Sequence, residues 1–389
     1  MISKSKQIIP LPIACYFFTI TFFAVSGLVN TIYLAVSHYR IYTDMGYKSF
    51  CAISKAINCD TVSQSSYSIF IGIPVPVWGI VGYALFLLLL FFAWNRDIRK
   101  QRLWAILFIV ALLFSIYSIV LAYISTFIIH SYCLMCVVSY GINFLLLYYT
   151  WLVRKRFKII CLSKGIKMDV LFIWEKKKAF LPVFLPFLGL LILLLAFFPS
   201  YWIYAPPVRA TEITTGTTVE GYPWIGAIDP ELTIFEFADY QCFQCKKMHF
   251  YLRQLVSQYP DKLRLVHRHF PMDHIYNPIV KEPFHIGSGK MALLSLYAAE
   301  RNKFWKINDL LFNIDIQRGH FNIREIAKTA EFDVIDFAGS VNNPILQRRL
   351  RVEIKDGIKL GLTGTPGYVI NGKVYIGHLP ADIMNAVRE

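Results

Sequence analysis

Apolar residues form long uninterrupted runs in the first half of the chain. A helix that crosses a bilayer needs about 20 consecutive apolar residues. In the second half, short alternating runs such as ELTIFEFADY replace them, which is typical of strands. The pattern therefore predicts a multi-domain membrane protein, with an all-α membrane part followed by an α/β part. The predicted membrane-spanning helices are at residues 12–36, 76–94, 103–129, 133–153 and 180–199.

Charge is distributed as unevenly as hydropathy. The first 199 residues hold 18 Lys and Arg against 5 Asp and Glu, so most of the net charge of +15 belongs to the apolar half. Fifteen of these 18 basic residues precede the first run or lie in the segments 95–102 and 154–178 between runs. Basic loops stay in the cytoplasm, so we expect the N-terminus and both basic loops there. The loop at 37–75, the turn near residue 130 and everything after residue 200 are then expected outside. A basic excess of this kind favours a membrane over a nucleic-acid partner.

The first apolar run has an alternative interpretation as a cleaved signal peptide. Its apolar core is longer than that of a typical signal peptide, and no small-x-small cleavage site follows it. We therefore expect it to span the membrane.

Cysteine spacing is the main chemical signal. Of the eight cysteines, Cys15 and Cys161 are predicted bystanders in the first span and in a cytoplasmic loop. The other six lie on the predicted outer side, where disulfides persist, in three close pairs: Cys51 and Cys59, Cys133 and Cys136, and Cys242 and Cys245.

The alternatives for the two C-x2-C pairs are stapling disulfides and zinc ligands. A C-x2-C disulfide closes so short a loop that it removes little chain entropy. A zinc site would need two further ligands brought to each pair. A C-x2-C at a helix start favours redox chemistry, because the helix N-terminus lowers the pKa of the first thiol. We therefore predict redox-active pairs and no metal.

The cysteines of the membrane half stand in a wider pattern. The segment CAISKAINCDTVSQS puts Cys51 and Cys59 in a polar loop, GIPVPVWG opens the second span, and CLMC opens the fourth. Over residues 10–155 this pattern resembles the vitamin K epoxide reductase family, especially its bacterial members. The resemblance implies a four-helix bundle that encloses a quinone, either ubiquinone or menaquinone, beside Cys133 and Cys136.

The same resemblance implies a set of quinone-binding residues. Ser65 and Tyr140 are expected to hydrogen-bond the quinone carbonyls, and Trp78 belongs to the same site. Ser65 as a local cap and Tyr140 as an interfacial aromatic remain the alternatives. Pro76 departs from the family pattern, in which a small or polar residue is more usual, so the polar contact expected near Val75 is left open.

The soluble half has a strand, a C-x2-C and a helix in succession. A second strand, KLRLVHRHFPM, follows, then a helix-rich region at 285–350, a hairpin turn at Asn371-Gly372 and a closing helix from Pro380. The pieces FADYQCFQC, HFPM, KFWKINDLLF and GTPGYVING resemble the thioredoxin superfamily, specifically the DsbA-like thiol oxidases with a helical insertion.

The DsbA-like resemblance implies a cis peptide bond at Pro366, beside the Cys242–Cys245 pair. Phe243-Gln244 stands between the two cysteines, where strongly oxidising relatives have Pro-His. That difference leaves the redox potential of this half open.

Together these features predict three parts. A membrane domain occupies residues 1–158, a cytoplasmic loop with a fifth linking helix and a linker occupies 159–210, and a DsbA-like domain occupies 211–389. We expect a protein of the bacterial inner membrane that oxidises reduced, unfolded exported proteins and passes electrons to the membrane quinone pool. Two alternatives stay open: the same relay run as a disulfide reductase or isomerase, and a membrane-anchored binding or chaperone module with structural disulfides.

Overall fold

The computed structural model describes residues 11–54, 56–94, 102–157, 162–207, 213–314, 322–380 and 383. Contacts divide the chain into two compact units, residues 1–201 and 202–389. Some sequence predictions fall outside the described residues. They concern the basic residues at 95–101, Cys161, and nearly all of the closing helix after Pro380.

The first unit is helical apart from one short hairpin. Its elements are α1 (Ile13–Thr43), α2 (Cys59–Gln64), β1 (Ile69–Phe70), β2 (Ile73–Pro74), α3 (Val75–Ala93), α4 (Trp104–Ile124) with a π-helical turn (Ser125–Ile129), α5 (Leu134–Arg156), α6 (Leu162–Glu175) and α7 (Lys177–Phe197).

Among the described residues of this unit, five helices are long and apolar enough to cross a membrane. They are α1, α3, α4 with its π-helical turn, α5 and α7, so the prediction of five long apolar helices is confirmed. Helices α1, α3, α4 and α5 pack on one another as a four-helix bundle around buried side chains that include Phe86, Trp104 and Leu146. The start of α7 packs on α3, where the Phe92 and Phe180 rings stack with centroids 4.2 Å apart.

Helix α1 ends at Thr43, whereas hydropathy predicts an end at residue 36. Polar residues follow residue 36, but several of them are buried against the outer loop and extend the helix. The hydroxyl of Tyr47 donates to Ser37 Oγ at 3.0 Å, and the hydroxyl of Tyr42 donates to Ser63 O at 3.4 Å. Tertiary contacts therefore override the local loss of hydropathy.

Helix α6 was not predicted, because its sequence was interpreted as a basic loop. It places Asp169 against the start of α4, where backbone N–H groups have no partner within the helix. The buried carboxylate accepts hydrogen bonds of 2.7, 3.0 and 3.3 Å from the backbone N–H groups of Leu103, Ala105 and Ile106.

The second unit is a mixed α/β fold. Its strands are β3 (Thr215–Thr217), β4 (Pro223–Gly226), β5 (Leu232–Ala238), β6 (Leu263–His269), β7 (Gly367–Ile370) and β8 (Lys373–Ile376). Its helices are α8 (Phe243–Gln258), α9 (Ser288–Ala299), α10 (Phe304–Asn313), α11 (Ile323–Thr329), α12 (Val334–Gly339) and α13 (Pro344–Lys359).

The sheet has the strand order β3-β4-β6-β5-β7-β8, in which β5 and β6 are parallel and the other pairs antiparallel. Helix α8 follows β5 directly, and α9 to α13 form the helical insertion between β6 and β7. The β7–β8 hairpin turns at Asn371 and Gly372, which both have positive φ. The predicted thioredoxin-like fold with a helical insertion is confirmed.

Candidate active site

The C-x2-C of the membrane unit lies at the start of α5. Cys133 is the N-cap residue, and its Sγ accepts a hydrogen bond from the backbone N–H of Cys136 at 3.2 Å. Both are thiols. The hydrogen bond between the two side chains lowers the pKa of Cys133 and outweighs the opposing effect of burial. The lowered pKa favours the thiolate of Cys133, which is the form of cysteine that takes part in exchange.

The outer loop carries a disulfide between Cys51 and Cys59, with Cα atoms 5.6 Å apart. Cys59 opens α2, and its neighbour Asn58 caps this helix by accepting hydrogen bonds from the N–H groups of Asp60 and Thr61 at 3.0 and 3.2 Å. The cap fixes the backbone on which Cys59 is carried.

Backbone hydrogen bonds hold this disulfide beside the C-x2-C. The N–H of Asn58 donates to Tyr132 O at 2.9 Å, and the N–H of Tyr132 donates to Ala56 O at 2.8 Å. Each bonded residue directly precedes or lies close to a cysteine. As a result Cys51, Cys59 and Cys133 are buried in one cluster, and Cys136 packs against it.

An apolar cavity of about 700 Å³ lies among the helices of the bundle. Cys136 lines it, as do the three predicted quinone-binding residues Ser65, Trp78 and Tyr140. All three have protein partners for their polar groups, and that of Tyr140 is the hydroxyl of Ser125. Trp78 Nε1 donates to Phe70 O at 2.9 Å, and Ser65 Oγ donates to Val62 O at 2.7 Å. Trp78 therefore offers its ring rather than its N–H to the cavity, and Ser65 offers acceptor lone pairs.

Polar side chains that sequence reasoning missed also line this cavity. His38 is buried, with Nε2 3.2 Å from Ser68 Oγ and Nδ1 2.8 Å from the hydroxyl of Tyr201. No local pattern marks His38, because it lies beyond the apolar run of α1 and its partners are distant in the sequence.

A second polar group at the cavity is a chain of hydrogen bonds across three helices. Tyr83 donates to Asn143 Oδ1 at 2.6 Å, and Asn143 Nδ2 donates to Ser118 Oγ at 2.9 Å. All three residues line the cavity. The wall is thus mostly apolar, with a few oriented polar groups, which is the usual composition of a small-molecule site.

The second unit repeats the first cysteine arrangement at the start of α8. Cys242 is the N-cap residue, and its Sγ accepts from the backbone N–H of Cys245 at 3.2 Å. The peptide bond between Thr365 and Pro366 is cis, as predicted. The Cys242 thiol donates to Thr365 O at 3.6 Å, so the predicted residues Cys242, Cys245 and Pro366 belong to one site.

The two thiols of this site differ in acidity. Burial raises the pKa of Cys242, but the hydrogen bond from Cys245 and the positive charge of His285 bring it below its ordinary value. Burial and the hydrogen bond to Cys242 raise the pKa of Cys245 well above its ordinary value. Cys242 is therefore the more acidic thiol of the pair, and Cys245 is the less acidic and fully buried one.

His285 is held beside Cys242 by Asp239. Its Nδ1 lies 3.1 Å from Asp239 Oδ2, which also accepts from Ser288 Oγ at 3.0 Å. Burial lowers the pKa of His285, but this hydrogen bond and the charge of Asp239 raise it overall. The dipeptide between the cysteines has no charge, and a histidine from the segment that precedes α9 acts on Cys242 instead.

Family models match both parts of the chain. Residues 18–151 match the vitamin K epoxide reductase family, and residues 233–387 match the DSBA-like thioredoxin domain. Both domains indicate thiol–disulfide oxidoreductase chemistry.

Curated proteins with similar sequence are named as antiporters. The chain is 29% identical over 168 residues to the Na(+)/H(+) antiporter NhaA of Herminiimonas arsenicoxydans, which is 42% of this chain and 24% of the antiporter. It is 24% identical over 165 residues to NhaA 1 of Mycolicibacterium gilvum, 42% of this chain and 25% of that protein. The chain thus spans about a quarter of the length of these relatives, and their transport activity is not extended to it.

Solved structures of thiol oxidoreductases resemble part of the chain. A thioredoxin-like oxidoreductase from Silicibacter pomeroyi shares 22% identity over 44% of this chain and 91% of its own, with a TM-score of 0.36. The thiol-disulfide exchange protein alpha-DsbA2 from Wolbachia pipientis shares 22% identity over 43% of this chain and 86% of its own, with a TM-score of 0.35. On its two family matches, the chain joins a membrane domain of the vitamin K epoxide reductase family to a C-terminal DsbA-like thioredoxin domain.

Proposed function

We propose that this protein is a quinone-dependent thiol–disulfide oxidoreductase that forms disulfide bonds in exported proteins. The observation that carries the proposal is the pair of backbone hydrogen bonds that sets the Cys51–Cys59 disulfide against Cys133, while Cys136 lines the apolar cavity. The loop disulfide is therefore next to the C-x2-C of α5, and that C-x2-C is next to a cavity that can bind a lipid-soluble molecule.

The relay begins with a reduced substrate protein. Its thiolate attacks Cys242 of the Cys242–Cys245 disulfide, and its second thiol resolves the mixed disulfide, so the substrate is oxidised and the pair is reduced. Cys242, whose pKa is lowered, then attacks Cys51, and Cys59 leaves as the thiolate. Cys245 resolves this mixed disulfide, which restores the Cys242–Cys245 disulfide and leaves Cys51 as a thiol.

The second exchange takes place within the membrane unit. Cys59 attacks Cys133 of a Cys133–Cys136 disulfide, and Cys136 leaves. Cys51 then attacks Cys59, which re-forms the loop disulfide and leaves Cys133 and Cys136 as the dithiol. Oxidation of this dithiol back to the disulfide releases two electrons and two protons, for which a bound quinone supplies the acceptor.

The cavity fits a quinone ring by size and by chemistry. Ligand pockets commonly measure about 300–1,000 Å³ with few polar groups, and this one measures about 700 Å³. Tyr140 would donate to one carbonyl oxygen, with the ring face against Trp78, and Ser65 would donate to the other by turning its hydroxyl away from Val62 O. Tyr140 lies one helical turn after Cys136, so both side chains reach the same side of α5.

The uneven charge supports an orientation in the bacterial inner membrane. With the basic loops in the cytoplasm, the loop with Cys51 and Cys59, the start of α5 and the DsbA-like domain all face the periplasm. In that compartment disulfides persist and newly exported, reduced proteins are the substrates.

Anaerobic quinone reduction tests this function. Purified full-length protein in nanodiscs is mixed with a soluble ubiquinone or menaquinone analogue and a reduced, unfolded protein, and quinone absorbance and substrate thiols are followed together. We expect one disulfide formed for each quinone reduced, and no quinone reduction by the Cys136→Ser variant. Unchanged quinone reduction by that variant would exclude the proposed order.

The exchange between Cys242 and the Cys51–Cys59 disulfide has its own test. In the Cys245→Ser variant, Cys242 can still attack Cys51 and displace Cys59, but no Cys245 thiol is present to resolve the Cys51–Cys242 mixed disulfide, so it should accumulate and be visible on a non-reducing gel. Cys15→Ser is the matched control, because Cys15 is an exposed cysteine outside all three pairs. If no such species forms, the DsbA-like domain serves another partner.

A further inference from the structure

Three ionisable side chains meet in the interior of the DsbA-like unit, outside the dithiol site. Glu236 lies on β5, His267 is its register partner on the neighbouring strand β6, and His249 lies on α8. All three have an exposed fraction of 0%. Since register partners point to the same face of a sheet, β5 and β6 direct Glu236 and His267 together at α8.

Two of the distances among these side chains match those between neighbouring ligands of one metal ion. Glu236 Oε2 lies 3.3 Å from His249 Nδ1 and 3.4 Å from His267 Nδ1. One ligand atom of each residue lies within 4.8 Å of the other two. Ligand atoms about 2.0–2.2 Å from a tetrahedral zinc ion are separated by roughly 3.3–3.5 Å.

Several polar atoms of the cluster have no hydrogen bond among the described residues. They are both ring nitrogens of His267 and Oε1 of Glu236. Leaving a buried polar atom unsatisfied costs about 1–3 kcal/mol, and such atoms call for an explanation such as an ion. A metal bound between Glu236 and His267 would supply the partner that Nδ1 of His267 lacks.

His249 is oriented as a metal ligand would be. Its Nε2 lies 2.9 Å from Asp309 Oδ1, so this nitrogen carries the proton and Nδ1 is left to face Glu236. Arg253 in turn holds Asp309, with Nη2 3.0 Å from Oδ2. A carboxylate on the far nitrogen of a ligating histidine is a common arrangement around zinc.

We propose that Glu236, His249 and His267 bind one divalent metal ion, and that zinc is the ion they fit best. Two imidazole nitrogens and one carboxylate oxygen suit zinc among the common cations. Three protein ligands leave one position of a tetrahedral ion for a water molecule. The ion would link β5, β6 and α8, and so would stabilise the elements that carry Cys242 and Cys245.

The protonation states agree with this role and set its pH dependence. Burial opposes the charge of Glu236, but the two histidines lower its pKa to about 2, and burial lowers the pKa of His267 to about 4. Both are therefore in the ligating form at neutral pH. Burial lowers the pKa of His249, but Asp309 and Glu236 raise it overall. We expect affinity to fall as the pH falls.

Metal content of the full-length protein tests the site. The protein is first oxidised, so that none of the three cysteine pairs competes for metal, then incubated with zinc sulfate, desalted and analysed by mass spectrometry. We expect about one zinc per chain, with loss in Glu236→Gln and His267→Gln. Asp309→Asn, which disturbs only the support of His249, should weaken binding about 10- to 100-fold.

The matched control is His269→Gln. His269 lies on the same strand, but Glu353 and Ser295 already hold its ring nitrogens at 2.9 and 2.7 Å. This variant should keep the zinc. Zinc should also raise the melting temperature of the wild type and of this control, but not that of His267→Gln.

Cobalt provides a readout that does not depend on any variant folding. Co²⁺ bound to nitrogen and oxygen ligands gives weak visible bands, whereas thiolate ligands add an intense charge-transfer band. Three results would overturn the proposal. The wild-type protein could take up neither zinc nor cobalt, its cobalt form could show the thiolate band, or a folded His267→Gln variant could keep its full zinc content.

Discussion

The cap of α2 offers a test of how the loop disulfide is held for exchange. Asn58 Oδ1 accepts from the N–H groups of Asp60 and Thr61 at 3.0 and 3.2 Å, and α2 has only six residues. Replacing an N-cap Asn by Ala costs about 1 kcal/mol. In the proposed relay the ordered first turn positions Cys59 for attack on Cys133, so a loss of that size should slow exchange about five-fold.

The assay isolates the membrane unit within the full chain. Cys242→Ser and Cys245→Ser are present in every sample, the loop pair is reduced with a small dithiol, and quinone absorbance is followed by stopped flow. Asn58→Ala should be about five-fold slower than the parent, and Asn58→Asp, which keeps an acceptor at the cap, should restore most of the rate.

The control removes an equivalent cap elsewhere. Asn322 caps α11 in the same way, accepting from Arg324 and Glu325 N–H groups at 3.1 and 3.4 Å, and α11 carries no cysteine. Asn322→Ala should leave the rate unchanged. The reasoning fails if Asn58→Ala reacts as fast as the parent, or if Asn322→Ala slows exchange equally.

Three further predictions concern other parts of the molecule. Asp169→Ala should lower the free energy of unfolding of the membrane unit by about 2–3 kcal/mol in a denaturant titration, because three buried N–H groups lose a charged acceptor. Asp169→Asn, which keeps one amide oxygen, should lower this free energy by less, and equal decreases in the two variants would contradict the argument. In the reduced protein, iodoacetamide should alkylate Cys242 at lower pH than Cys245, because the pKa of Cys242 is lowered and that of Cys245 is raised; coincident pH profiles by mass spectrometry would count against this order. Tyr140→Phe should raise the KM for quinone about 2- to 10-fold through loss of one hydrogen bond, whereas Tyr148→Phe, an exposed position on the same helix, should not.

Local patterns were sufficient to predict much of the fold. The five apolar runs predict the five spanning helices, and each C-x2-C stands at the start of a helix as expected. Asn371-Gly372 forms the predicted hairpin because this dipeptide readily adopts positive φ at both positions. In each case the residues that decide the structure are neighbours in the sequence.

The features that could not be predicted depend on distant partners. Asp169 caps a helix whose first residues lie more than 60 positions earlier, and nothing near Asp169 indicates that contact. His38 lies beyond the apolar run of α1, and it is buried only because Ser68 and Tyr201 come to it from other segments. Periodicity reports what a segment prefers, whereas these positions are determined by tertiary packing.

The two C-x2-C pairs share the same N-cap hydrogen bond but differ in what surrounds the second cysteine. Cys133 and Cys242 are both N-cap residues, and each Sγ accepts from the N–H three residues on at 3.2 Å. Cys136 lines the apolar cavity, whereas Cys245 has an exposed fraction of 0% within the core of its unit. Cys245 can therefore act only as the resolving partner of Cys242, but Cys136 can meet a lipid-soluble acceptor. The order of the proposed relay thus follows from the environment of the second cysteine, since the shared motif alone would allow either pair to be its final step.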